Sequence, residues 1–522
     1  MISACLAACT NKPTTNDGMT NESPSFQKSI DYIPSALGPL SWKITTDNLQ
    51  AQQYFDQGLQ LRYAYGVNDS ARSFREARLA DPNCAMCYWG EAFALGSFLN
   101  GGMTAKKAPF AHAAIERAVT LADEITEVER DLIMAARARY PKNYDPENRR
   151  KDDEVFAREM ALIYEKYPHH PEVAVVYAVS LFMLENRRGY RDLADPDLIK
   201  LHAVLTGVLD KDITHPGACH LYIHATESSQ NPGLALPCAD HLGSAIPISS
   251  HIQHMPSHTW NEVGYWGKSV RANTAARRSD LMAVENQGFS YGASHNLHML
   301  LFAASYDGQG AVATQAGKDF RKVTDNSIYE VLTLTRFGRF DEVISMTNRP
   351  KKEASAAMWD FAIGYANLRQ GKPDLAVKTA TKLLKLADTT EEKFKFHPAS
   401  QIIGTLGNIL KGEVERHNGN LSLAITAFRK AVEFEDKMDY DEPEPLPFAA
   451  RHWLGAALIE AGNYPQAEHE YRVELKDHPH DVWSLFGLQQ ALDAQGKNDV
   501  SVEQDLKASS ARMDIWITAS RF

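Results

Sequence analysis

Small residues recur in this sequence at offsets that belong to one 34-residue period. Counted from Ala51, positions 8, 20, 24, 27 and 32 of that period are Gly58, Ser70, Phe74, Ala77 and Pro82. Counted from Phe448, they are Gly455, Ala467, Tyr471, Glu474 and Pro479, and only Glu474 departs from the small or apolar type. Gly364 with Ala376, and Gly412 with Ala424, Phe428 and Ala431, supply two further units. A period of this length is one helix hairpin. Small residues at 8 and 20 let its two helices approach closely, and the aromatic at 24 fills the groove to the next hairpin. Each hairpin leaves one face uncovered, and stacking covers it.

This is the tetratricopeptide pattern, so the chain is expected to be all-α, a superhelical solenoid of helix hairpins over residues 49–522. Phe337-Gly338-Arg339-Phe340 reads as a helix–turn–helix junction within a weaker unit, and Pro443 to Pro447 as a loop, with no domain break. A length of 522 residues exceeds one typical domain and suits a repeat array. The net charge of −11 leaves no basic excess to displace counterions from phosphates, so no nucleic acid is expected as a partner. No run of about 18 apolar residues offers a transmembrane helix.

The N-terminus has a separate reading. Leu6-Ala7-Ala8-Cys9 resembles the lipobox of bacterial lipoproteins, in which the cysteine is acylated after cleavage. Residues 1–9 then read as a truncated signal lacking its basic start, ending at the lipidation site Cys9. Residues 10–48 form a polar tether and N-terminal extension, rich in Thr, Asn, Ser and Pro as far as Ser25. A lipid anchor would place the protein in the periplasm or at the outer membrane.

Of 19 histidines, nine lie between His215 and His298, where even scatter would place about three. A repeat unit counted from Pro216 puts His220 and His224 at positions 5 and 9 of its first helix. One period later the same positions are His254 and His258. First helices line the concave groove of such an array, and positions 2, 5, 9 and 12 face it. His251 holds position 2 of its unit and Glu227 position 12. Residues i and i+4 share a helix face, and packed helices sit about 8–10 Å apart. Two HxxxH pairs on adjacent helices therefore offer four imidazoles to one or two ions. His295 and His298 are expected to join from the next first helix. His251 is a further candidate ligand, and Glu227 a ligand, an orienting group or a general base, the one catalytic candidate. The alternative is a hydrogen-bonded histidine ladder that orders the groove.

Elsewhere the bland reading prevails. His112, His202, His241, His397 and His417 read as surface or hydrogen-bonded side chains, and His215, before a proline, as a helix cap. Cys84-Ala-Met-Cys87 has no second CxxC to complete a zinc set, so a packing role is expected. With Cys219 and Cys238 these cysteines form no disulfide-scaffold pattern for a chain this size. Cys219 should face away from the adjacent His220. Trp89, Tyr265, Trp266 and Trp453 are expected to pack between helices.

The blocks Tyr54-Phe-Asp-Gln-Gly-Leu59, Asp81-Pro-Asn-Cys-Ala-Met-Cys-Tyr-Trp-Gly90, His215-Pro-Gly-Ala-Cys-His-Leu-Tyr-Ile-His224, His254-Met-Pro-Ser-His258 and Ser294-His-Asn-Leu-His298 resemble a widespread bacterial group of tetratricopeptide-repeat proteins. The likeness covers most of the chain after residue 50. It implies the fold and the histidine site, and assigns neither an activity nor a metal.

The expected function is an extracytoplasmic metalloprotein with a mono- or binuclear histidine site, oxidative with copper or iron, hydrolytic with zinc. Copper and zinc lead, and iron is third. Six ligands dividing three and three is similar to coupled binuclear copper proteins, by analogy of ligand count alone. A peptide or protein interaction module, and a metal carrier or sensor, are the alternatives. A small molecule or peptide is the expected occupant of the groove.

Overall fold

Phe74 illustrates how the repeats close. A methyl group placed on Gly58 would sit 2.9 Å from its ring, and one on Gly90, in the next hairpin, only 2.3 Å away. The ring thus lies between two glycines, one from each unit. Tyr471 is held in the same way, with Gly455 and Gly487 on either side at 2.3 and 2.2 Å. The small-and-aromatic spacing of the sequence is therefore the packing code of the stack.

The computed structural model describes residues 25–186 and 189–522. The Leu6-Ala7-Ala8-Cys9 motif lies outside the described residues. Helices succeed one another almost without interruption, from Leu49–Tyr63 and Val67–Ala80 to Val482–Ala494 and Val500–Ser510. Among the described residues, paired strands are limited to Lys393–Phe394 against His397–Pro398. The fold is a tetratricopeptide-like α-solenoid. The phased units fall on Leu49–Tyr63 with Val67–Ala80, Glu353–Arg369 with Pro373–Thr389, Ala399–His417 with Leu421–Glu435, and Arg451–Glu460 with Tyr464–Asp477.

Two apolar cores follow one another along the chain. One gathers residues from Phe26 to Met255, the other residues from Trp266 to Phe522. Trp89, Trp266 and Trp453 are buried in them, whereas Tyr265 is 41% exposed. The layer where the cores meet is polar and carries the histidines. Three long-range contacts tie distant segments of the chain together. The first helix, Leu49–Tyr63, packs on Pro216–Thr226. Residues 25–48 run beside that first helix, with Gln57 and Gln60 accepting from the amides of Ile33 and Gly38. The chain's last residues fold back, Arg512 pairing with Asp307 and Asp514 accepting from the amide of Gly310 at 2.6 Å.

All four described cysteines are bonded, Cys84 to Cys87 and Cys219 to Cys238, which corrects the expectation that they merely pack. Cys84-Cys87 closes the first turn of Ala85–Leu95. Cys219 turns away from His220, as the helix geometry predicts, and ties the helix Pro216–Thr226 to Leu236–Ala245.

Candidate metal centre

His220 and His224 project from the helix Pro216–Thr226. His215 caps its N-terminus, Nδ1 accepting from the amide of Ala218 while Nε2 meets Glu172 at 3.1 Å. Pro216 at the first helical position needs no amide partner. His251 and His254 lie on Ser250–His254, which continues through Met255 into Pro256–Glu262, the helix of His258. His295 and His298 lie on Ala293–Tyr306. These are three successive first helices; the first two keep the 34-residue period, and the third falls several residues late.

The imidazoles form a continuous cluster. Ring centroids are 4.8 Å apart for His220 and His251, 5.4 Å for His224 and His258, 4.7 Å for His254 and His258, and 4.6 Å for His254 and His295. Two triads result, His220–His224–His251 and His254–His258–His295, each with its ligand atoms within 4.8 Å of one another. The least emphasised histidine, His251, completes the first. His298 joins neither; its ring stacks on Tyr329 at 4.0 Å, drawn toward the following repeat.

What orients the rings distinguishes this cluster from a chance gathering. His220 Nδ1 donates to the carbonyl of Tyr63 at 2.5 Å, and His254 Nδ1 to Asn273 Oδ1 at 2.8 Å. His224 Nδ1 donates to Glu227 Oε1 at 2.9 Å, and His258 Nδ1 lies 2.7 Å from Glu227 Oε2 and 3.0 Å from Glu442 Oε2. Every one of these four rings is engaged through Nδ1. Nε2 of three of them meets another imidazole, His254 with His258 at 2.8 Å and His220 with His251 at 3.2 Å. Two imidazoles on one tetrahedral ion, each about 2.1 Å from it, stand about 3.4 Å apart. Histidines that ligate metals commonly give their other N–H to a carboxylate or carbonyl in this way. The donor set therefore fits a borderline transition metal.

Electrostatics favour metal binding at four rings and hold a proton on a fifth, His258, that a metal would have to displace. Burial first, and neighbouring imidazoles second, hold His220, His251 and His254 well below their ordinary range, and burial takes His295 to about 3. These rings are neutral near pH 7, the form that binds metal. Burial opposes the charge on His258 too, but Glu227 and Glu442 outweigh it and raise this ring to about 10. Burial and Glu442 disfavour the Glu227 carboxylate, yet His224 and His258 pull it down to about 2.

Glu442 is the residue that sequence reasoning missed. It sits 7% exposed in the loop before Arg451–Glu460, a loop that reaches across from the C-terminal half. Lys395 pins that loop through Asp441 at 2.7 Å and the carbonyl of Pro443 at 3.2 Å. The signal was there in Asp439-Tyr-Asp-Glu-Pro-Glu-Pro-Leu-Pro447, an acidic, proline-rich stretch too long for a hairpin turn. Tyr65 is a second such residue. Just beyond the first helix, at a φ of 57°, it places its ring 4.2 Å from His220 and 5.2 Å from His251. The site is also more enclosed than a groove surface suggests: His220, His224, His251, His254 and His258 are each at most 2% exposed.

No family model matches the sequence, and no curated protein matches it. Among solved structures, the chain is similar to the APC/C hetero-tetramer Cut9–Hcn1, at 13% identity over 88% of this chain and 76% of that one, TM-score 0.29. It is also similar to the human IFIT1 dimer with m7Gppp-AAAA, at 11% identity over 81% and 89%, TM-score 0.31. The TPR domain of P58(IPK) is similar at 11% identity over 85% and 98%, TM-score 0.21. Likenesses at this level concern helical-repeat architecture and say nothing of the histidine site.

Proposed function

We propose that this chain is a transition-metal protein, with one or two ions held by His220, His224 and His251 and by His254, His258 and His295. The single observation that carries the reading is the division of labour within the rings. Nδ1 of His220, His224, His254 and His258 faces a protein oxygen, and Nε2 of His220, His254 and His258 is turned toward another imidazole. Glu227 is the orienting group, gripping one ring from each triad, and Glu442 is its partner on His258. Copper and zinc suit a nitrogen set best, with iron third; the ion would supply oxidation chemistry in the first and last cases and Lewis acidity in the second.

Two observations favour an enzyme over a carrier or an open peptide-binding module. A cavity of about 470 Å³ reaches His258, so one triad has room for a substrate beside it. The first helices of the C-terminal repeats, where a peptide would lie, are covered by the chain itself. Phe522 packs there on Trp453, Tyr365 and Phe448 at ring distances of 4.7, 5.0 and 5.4 Å. The reading also places the protein outside the cytoplasm, anchored through Cys9. The bonded pairs Cys84–Cys87 and Cys219–Cys238 suit an oxidising compartment.

The test is metal stoichiometry on protein purified without a histidine tag and offered copper, zinc and iron in turn. The parent should retain about one or two equivalents of one of them, and His224→Ala and His258→Ala should lose it. Retention below about a tenth of an equivalent of every metal would refute the proposal, and the rings would stand as a hydrogen-bonded ladder.

A further inference from the structure

The cavity beside His258 has a composition that the histidine centre does not require. Nine acidic side chains line it, against one arginine, one lysine and two histidines. The arginine, Arg451, is already held by both oxygens of Asp436, at 2.6 and 2.8 Å. Glu262 is one helical turn from His258 and on the same face. The charges nearest to it are Glu444, His478, Glu227 and His258, and both imidazoles are already paired with other carboxylates, His478 with Glu474 and Glu444 and His258 with Glu227 and Glu442.

A second observation points to a donor. Asn261 lines the same cavity and is 7% exposed, yet its side-chain oxygen has no hydrogen-bond partner. Its amide nitrogen makes a 3.6 Å contact with the sulfur of Met299. A buried amide oxygen without a donor keeps its full desolvation penalty in the absence of a ligand. The remaining wall is apolar or aromatic. Met299 and Phe302 lie on the side of the third histidine helix, and Tyr190 and Tyr440, rings 6.0 Å apart, lie toward the opening. Acceptors at one end and aromatic faces along the side match an ammonium group carried on an apolar stem. A bare metal cation would need neither the stem wall nor about 470 Å³ of space.

We infer that this cavity binds a protonated organic amine, its ammonium received by Asn261, Glu262 and Glu444 and its stem by Met299, Phe302 and Tyr190. The inference rests on the metal-centre reading in one respect only, that a ligand here would lie beside His258 as the substrate of that centre. It names the substrate class as an alkyl or aryl amine.

Hexylamine, hexanol and hexanoate, equal in stem and different in head group, separate the cases by calorimetric titration of the full chain at pH 7 and low salt. Metal content is measured on the same samples. Hexylamine should bind at least about 10-fold more tightly than hexanol, and hexanoate should not bind. Glu262→Gln and Glu444→Gln, checked for a melting temperature no lower than the parent's, should each weaken hexylamine about 10-fold and leave metal content at the parent value. Equal binding of amine and alcohol, or an amine affinity unchanged in both variants, would overturn the inference. So would displacement of hexylamine by one equivalent of calcium chloride, which would make this an inorganic cation site. Amine binding in protein that retains no metal would uphold the inference and refute the metal-centre reading, so the two fail separately.

Discussion

Replacing Glu227 by glutamine preserves the side chain's shape and removes its charge. Glu227 is 1% exposed and touches both triads, accepting from His224 at 2.9 Å and pairing with His258 at 2.7 Å. The amide of glutamine has one oxygen. It can accept from one ring, but its NH₂ then faces the N–H of the other. A hydrogen bond to a charged group contributes about 1.5–3 kcal/mol, and a buried donor left facing a donor loses its solvation as well. The metal-free protein should therefore lose about 3 kcal/mol of local stability at this layer. Orientation of the ligands is lost too, and metal affinity should fall about 10–100-fold, or roughly 1.4–2.7 kcal/mol. Chelator competition measures the affinity, and hydrogen exchange across Pro216–Thr226 measures local opening. If Glu227→Gln opens the helix but leaves metal affinity within about threefold of the parent, the carboxylate serves the fold alone and the reasoning on ligand orientation is wrong.

A methyl group at Gly90 would fall 2.3 Å from the Phe74 ring, so Gly90→Ala should cost about 1–3 kcal/mol through overpacking, read as a lowered melting temperature. Gly371, where a methyl group would meet nothing within 4 Å, lies at a φ of 75°; alanine there should be destabilising through backbone strain alone. Burial and then Glu444 raise Glu262 to about 8, above its ordinary 4.5. A raised carboxyl stabilises the fold fully below pH 4.5 and loses that contribution as pH rises through about 8. The melting temperature should thus decline over that window, and more shallowly in Glu262→Gln. Fatty-acid labelling of cells should be abolished by Cys9→Ala, and equal labelling of mutant and parent would remove the anchor from the proposal.

The helical period was legible because it is local chemistry repeated. Glycine at Gly58, Gly90, Gly455 and Gly487 and an aromatic at Phe74 and Tyr471 are needed wherever two hairpins pack, whatever else the protein does. The same period put His220 with His254 and His224 with His258 in phase; His224 does meet His258, ring centroids 5.4 Å apart, whereas His220 meets His251 instead. The cysteine bonds could not be read in the same way, since the 19 residues between Cys219 and Cys238 say nothing of how two helices tilt.

Other features belong to the superhelix and not to any one repeat. The curl returns the first helix to the seventh decade of residues beyond 150, so the carbonyl of Tyr63 orients His220 across a separation of 157 residues. Glu442 reaches His258 from a loop nearly two hundred residues later, and Tyr329 takes His298 away from the cluster that its spacing suggested. Helical phase is set by dihedral angles that each residue adopts with its near neighbours. Small rotations between successive hairpins accumulate along the stack and decide which distant segments meet. That is why the histidine face and Glu227 were written in the sequence, while the second carboxylate Glu442, the enclosure and the acidic cavity beside it were decided only by the tertiary structure.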